Sequence, residues 1–247
     1  MSRWKAASIH LSISISVGLL VLALLFLVWY PQPYFDAAGG EHLVIVLLGV
    51  AIVLGPMLTL ILFKSGKKGM LFDLCMIGFV QTAALVYGLY VIAQARPVFI
   101  AAAVDRFNVV MANEIDPIDL ADGKKPEFRS LSFGGPRLVG VELPSDTKEK
   151  SDLLFSSLAG KDVQLYPKYY VDYALIASDL LTHARSLEKL RAANPENGRI
   201  LDRWLEINRR EDKDVAWMPI SMRKSSLCML IDAKTGEVLA PLPIYPW

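Results

Sequence analysis

The chain has 247 residues, 53% of them hydrophobic, with 26 Lys and Arg against 25 Asp and Glu. A formal net charge of +1 without any block of like charge excludes the basic footprint of a nucleic-acid-binding protein. Two cysteines and three histidines, none at zinc-ligand spacing, exclude a disulfide framework and imply neither a metal nor a cofactor.

The hydropathy is divided unevenly. Residues 1–96 hold three apolar runs, at about 9–30, 43–63 and 73–95, whereas residues 97–247 carry 20 Lys and Arg and 22 Asp and Glu. Roughly 20 apolar residues are what a helix needs to cross the hydrocarbon core, and only helices or closed barrels satisfy their backbone there. The expected fold class is therefore a membrane protein, three transmembrane α-helices followed by an α+β domain that begins at Pro97.

Arg3 and Lys5 precede the first run. It lasts about 22 residues and ends in Trp29-Tyr30-Pro31, too long and too bulky at its end for a cleavable signal, so a retained span is expected. Trp29, Tyr30, Tyr34 and Phe35 read as an aromatic belt at the interface. Ser8, Ser12 and Ser16 share one helix face, either to admit another helix or to bond back to their own backbone. The second run contains Gly49, Ala51, Gly55 and Pro56. Proline removes the helix bond to the Ile52 carbonyl, so a kink is expected, with Thr59 close enough to help the loosened backbone. The third run carries Gln81 at mid-membrane, flanked by Gly78 and Thr82. An amide there must face protein, because hydrocarbon offers it no partner.

The short loops set the orientation. Arg3, Lys5, Lys64, Lys67 and Lys68 lie on one side, and the Pro31–His42 loop has no Lys or Arg. The basic side is cytoplasmic, which sends the domain after Arg96 to the far side. Cys75 and Cys228 then lie on opposite sides and do not pair.

Beyond the membrane, Pro97–Ile100 and Phe107–Val110 read as strands around a Val104-Asp105-Arg106 turn. A polar, turn-rich stretch runs from Asn113 to Pro144. Asp146 with Glu149 predicts a capped helix through Leu158, closed by Gly160. Tyr173, Ile176, Leu180, Ala184, Leu187 and Leu190 predict one longer helix, with Lys189 and Arg191 at its C-terminal end. Asn194-Pro195 opens another, burying Ile200, Leu201, Trp204 and Leu205. Val215–Leu242 reads as strands with a hairpin turn at 232–237. No nucleophile elbow, P-loop or dinucleotide fingerprint is present, so no enzyme is expected.

Trp29-Tyr30-Pro31-Gln32-Pro33-Tyr34-Phe35, the run Val53 to Leu60 around Gly55-Pro56, and Gly66-Lys67-Lys68 with Phe72-Asp73 form an ordered series. It continues through Gln81 with Tyr87-Gly88 to Ala95-Arg96-Pro97-Val98, Val104-Asp105-Arg106-Phe107 and the closing Pro246-Trp247. This series resembles the TfpX/TfpZ family of type IV pilin accessory proteins. The resemblance implies a multi-pass protein of the bacterial inner membrane with its C-terminal domain periplasmic. It also implies a chaperone-like role beside the pilus machinery, supporting the stability or assembly of a cognate type IV major pilin, and no enzymatic activity. The implied partners are that pilin, the lipid bilayer and other membrane proteins of the pilus machinery. On this reading Gly55, Pro56 and Gln81 are candidates to meet the pilin's membrane helix, and Asp105 and Arg106 to meet its head. Two alternatives share the topology, a membrane-anchored periplasmic sensor and a pilin-modifying membrane enzyme. The first lacks a cytoplasmic output domain and the second lacks a donor site.

The orientation predicts that alkaline phosphatase fused after Arg96 is active and phosphatase fused at Lys67 is inactive. The reverse pattern would overturn it.

Overall fold

The computed structural model describes residues 2–193, 195–222 and 226–246. The predicted cap Asn194 and the closing Trp247 lie outside the described residues, as does the side chain of His42. The chain forms two compact units, Met1–Arg96 and Pro97–Trp247.

In the first unit α1 (Arg3–Leu24) is capped by the Ser2 hydroxyl, which accepts from Lys5 N–H at 3.3 Å, and it runs on through a π turn at Leu25–Trp29. A short α2 (Tyr34–Ala38) leads to α3 (Glu41–Gly49), a second π turn (Val50–Leu54) and α4 (Gly55–Leu62); α5 (Met70–Gln94) follows. Three helical stretches, Arg3–Trp29, Val44–Leu62 and Met70–Gln94, are long and apolar enough to cross a membrane. The aromatics expected to form an interfacial belt are packed within the unit. Trp29, Tyr30, Tyr34 and Phe35 are all buried, and the Tyr30 hydroxyl donates to the Ile92 carbonyl at 3.0 Å. Ser8, Ser12 and Ser16 are exposed, and the Ser12 and Ser16 hydroxyls bond back to the carbonyls of Ser8 and Ser12.

In the second unit β1 (Pro97–Ala103) and β2 (Arg106–Met111) form a hairpin. The polar stretch after it holds a short α6 (Pro117–Ala121) and β3 (Arg137–Val141), which lies parallel to β1. This strand is the main element missing from the sequence reading, since five residues ending in Gly140-Val141 show no alternation. Then come α7 (Thr147–Leu158), β4 (Tyr170–Val171), α8 (Ala177–Leu181), β5 (Arg185–Ser186), α9 (Leu187–Ala193) and α10 (Pro195–Asn208). Leu201 and Leu205 of α10 are buried, and Ile200 and Trp204 partly so. The meander β6 (Val215–Ser221), β7 (Ser226–Asp232) and β8 (Val238–Leu242) ends the chain, with the Asp232 carboxylate accepting from Lys234 and Thr235 N–H at its last turn.

These strands form one curled sheet in the order β4-β3-β1-β2-β6-β7-β8, with β5 against β6. The two halves meet weakly, because β2 and β6 pair only at Phe107–Ile220 and Asn108–Ser221. Each half has its own core. One gathers Phe99, Val110, Phe128, Val139 and Tyr170; the other gathers Leu190, Leu201, Trp217, Cys228 and Leu230. Complete burial raises the Cys228 thiol well above its ordinary range and leaves it an inert apolar residue.

The single long helix predicted from Tyr173 to Leu190 is not formed. It is broken into a 3₁₀ turn, α8, β5 and α9. The cause is tertiary: β5 pairs with Ala216 and Trp217, and the Trp217 indole N–H donates to the Ser186 carbonyl at 3.0 Å. Arg191 stands in the last turn of α9, as expected of a basic residue at a helix end, and also holds Asp202 and Asp212.

Trp217 therefore joins β5 to β6 and fills the second core. Trp217→Ala should lower domain stability by about 3–5 kcal/mol, read from denaturant unfolding. A loss below about 1 kcal/mol would contradict this packing.

Candidate functional site

Two places collect the residues singled out by sequence, one in each unit. The first is built around Pro56. In a π turn each N–H bonds the carbonyl five residues back. In that register the partner of the Ala51 carbonyl would be the N–H of residue 56, which proline lacks. Gln81 supplies the missing donor, its Nε2 lying 3.1 Å from the Ala51 oxygen. The freed carbonyl is thus that of Ala51, one residue from the expected Ile52. The close approach requires Gly55, where an added Cβ would stand 1.9 Å from Gln81 Nε2. Gly55, Pro56 and Gln81 are therefore brought together, with Gly55 and Pro56 buried.

Thr59 does not serve its own backbone. It is buried and shares a 2.6 Å hydrogen bond with Nδ1 of His10, which fastens α1 to α4. Sequence reasoning missed this pair. The available signal was His10 itself, an imidazole inside an apolar run.

Beside Gln81 a groove of about 250 Å³ opens between α3 and α5. Its lining is almost wholly apolar, with Ala51, Ala84 and Gly88 keeping it open; among the described residues Gln81 brings an amide to it and Tyr87 a hydroxyl. At Gly88 a Cβ would stand 2.4 Å from Leu47 Cδ1, so a side chain there would displace the tip of Leu47. The Gln81 Oε1 has no donor among the described residues.

The second place is the β1–β2 turn. Asp105 and Arg106 form a two-point ion pair, with Nε–Oδ1 at 2.9 Å and Nη2–Oδ2 at 3.2 Å. The Arg106 hydrogen bond, more than its charge, holds the Asp105 carboxyl below the usual carboxylate range. Both side chains are well exposed, so the pair contributes under about 1 kcal/mol to stability. They border a cleft of about 710 Å³ between this turn and α7. Among the described residues no cluster of His, Cys, Asp or Glu is arranged to hold a metal ion.

Comparison with known proteins supplies the context. A fimbrial assembly protein of serogroup I from Dichelobacter nodosus is 31% identical over 214 residues, covering 85% of this chain and 77% of that protein. The chain belongs to the fimbrial assembly protein family. The serogroup E1 fimbrial assembly protein of the same organism is 30% identical over 214 residues, with the same coverage of each chain. The protein of serogroups C1 and C2 is 35% identical over 113 residues, covering 45% of this chain and 86% of that one. The model for fimbrial assembly protein FimB matches residues 1–39, which take in α1 and the buried aromatics that follow it. No solved structure matches the chain. The family these relatives reach is the fimbrial assembly proteins, not the narrower TfpX/TfpZ family of the sequence resemblance.

Gly55→Ala should push Gln81 off the Ala51 carbonyl and lower bundle stability by about 1–2 kcal/mol. Unfolding of the detergent-solubilised full chain measures it. Unchanged stability would show that the Gln81 bond is dispensable.

Proposed function

We propose that the chain is a multi-pass accessory protein of the bacterial inner membrane that binds its cognate fimbrial subunit, a type IV major pilin, and supports its stability or assembly. The observation that carries this reading is the groove beside Gln81 in a member of the fimbrial assembly family. Its apolar walls suit a transmembrane helix, and the Gln81 Oε1 calls for a hydrogen-bond donor that a hydrocarbon chain cannot offer. A subunit awaiting assembly in the bilayer needs such a neighbour for its membrane segment. On this reading the domain after Pro97 is periplasmic, where the subunit's head is.

Ala84 is exposed on the groove wall and makes no essential contact in the bundle. Ala84→Leu should fill the groove, leave the protein's own membrane level unchanged and cut fimbrial-subunit co-purification severalfold. Undiminished co-purification at normal protein level would exclude the groove as the binding place.

A further inference from the structure

Helix α7 is mounted in an unusual sense. Its N-cap is regular, with the Asp146 carboxylate accepting from Glu149 N–H at 2.9 Å. The Glu149 side chain does not return to complete a capping box. It accepts from Lys168 Nζ and the Tyr169 hydroxyl, both at 2.8 Å, which hold its carboxyl below the usual range. Farther along, the Ser156 hydroxyl donates to the Lys161 carbonyl at 2.8 Å and lies 2.5 Å from the Tyr166 hydroxyl. The helix is thus fixed to the domain largely through polar groups, and none of its residues is fully buried. Of its apolar residues, Leu153 packs partly buried against the first core, whereas Leu154, Phe155 and Leu158 are 67%, 70% and 85% exposed. An amphipathic helix normally does the opposite.

Lys150, Leu153, Leu154 and Ser157, at i, i+3, i+4 and i+7, share the face that borders the 710 Å³ cleft. Across it stands Val104, a β-branched residue with φ of 56° that is 53% exposed. That conformation is strained for a β-branched residue and is kept mainly where function uses it. Leu143 extends the apolar rim. The cleft also holds Asn108, Gln164 and Ser221, whose side chains have no hydrogen-bond partner among the described residues. Its charged residues, Asp105, Arg106, Lys150 and Asp162, sum to zero.

These features select among occupants. A lipid surface would leave the Asn108 and Gln164 amides unpaired, and α7 mixes Lys148 and Lys150 with Glu149 and Asp152 where a surface-lying helix carries a basic flank. An uncharged, apolar polypeptide segment satisfies both the rim and the amides, through its side chains and its backbone. We propose that this cleft and the outward face of α7 dock such a segment of the fimbrial subunit's soluble part. The proposal rests on the function proposed above.

The test places a photo-crosslinking amino acid at Leu154 of the full chain in cells that make the subunit, with Ile207 on α10, also exposed, as the control position. Irradiation should give a subunit adduct from 154 and none from 207. Leu154→Asp should reduce subunit co-purification at least about fivefold, since truncating a central anchor has effects of that order. Adducts from 154 only to lipid or to a second copy of the chain, or equal adducts from both positions, would overturn the proposal. Deleting the whole gene separates the two claims. Normal fimbriae in the deletion strain would refute the accessory function itself. Lost fimbriae there, with normal fimbriae and co-purification in Leu154→Asp, would refute the cleft alone.

Discussion

Pro56 in the middle of an apolar helix leaves a backbone carbonyl without its helical donor, and the local architecture of the first unit follows from that constraint. The helix widens into a π turn at Val50–Leu54, the Ala51 oxygen turns to α5, and Gln81 meets it at 3.1 Å. Meeting it requires residue 55 to have no side chain. The imidazole–hydroxyl bond between His10 and Thr59 then fixes the third helix to the other two. One missing N–H thus accounts for a glycine, a glutamine and the local widening of a helix. The same arrangement leaves the other half of the Gln81 amide beside an apolar groove.

In the second unit the constraint is the sheet. Two halves, each with its own core, are joined by a parallel pairing of only two residue pairs between β2 and β6. The backbone at that seam is where Asn108 and Ser221 lie, beside the strained turn at Val104 and the outward face of α7. Among the described residues the Asn108 and Ser221 side chains have no hydrogen-bond partner there, and Leu154 stands exposed beside them.

Much of this was legible in the sequence. The three apolar helices, the hairpin around Asp105-Arg106, the cap at Asp146 and the closing meander follow from run length, turn chemistry and capping. Pro56 announced a distortion and Gln81 a protein-facing amide, but not that each answers the other. That required the α3–α5 register, which only tertiary packing fixes. The long helix expected from Tyr173 to Leu190 shows the same limit. Its spacing is helical, yet pairing of Arg185 and Ser186 with β6 outweighs local preference. The packing of the aromatics at 29–35 within the unit was not legible, because composition marks them as amphipathic without saying what they touch. That Glu149 bonds Lys168 and Tyr169 was hidden because it looks like a capping residue until its partners are known.

The central claim about the bundle is that Gln81 is there because Pro56 is. The measurement that bears on it most directly is a double-mutant cycle on the full chain, comparing the stability cost of Gln81→Leu with proline at position 56 and with alanine there. Alanine restores the N–H, so the helix can satisfy its own carbonyl. The account predicts that Gln81→Leu costs markedly less in the Pro56→Ala background. An equal cost in both backgrounds would contradict it.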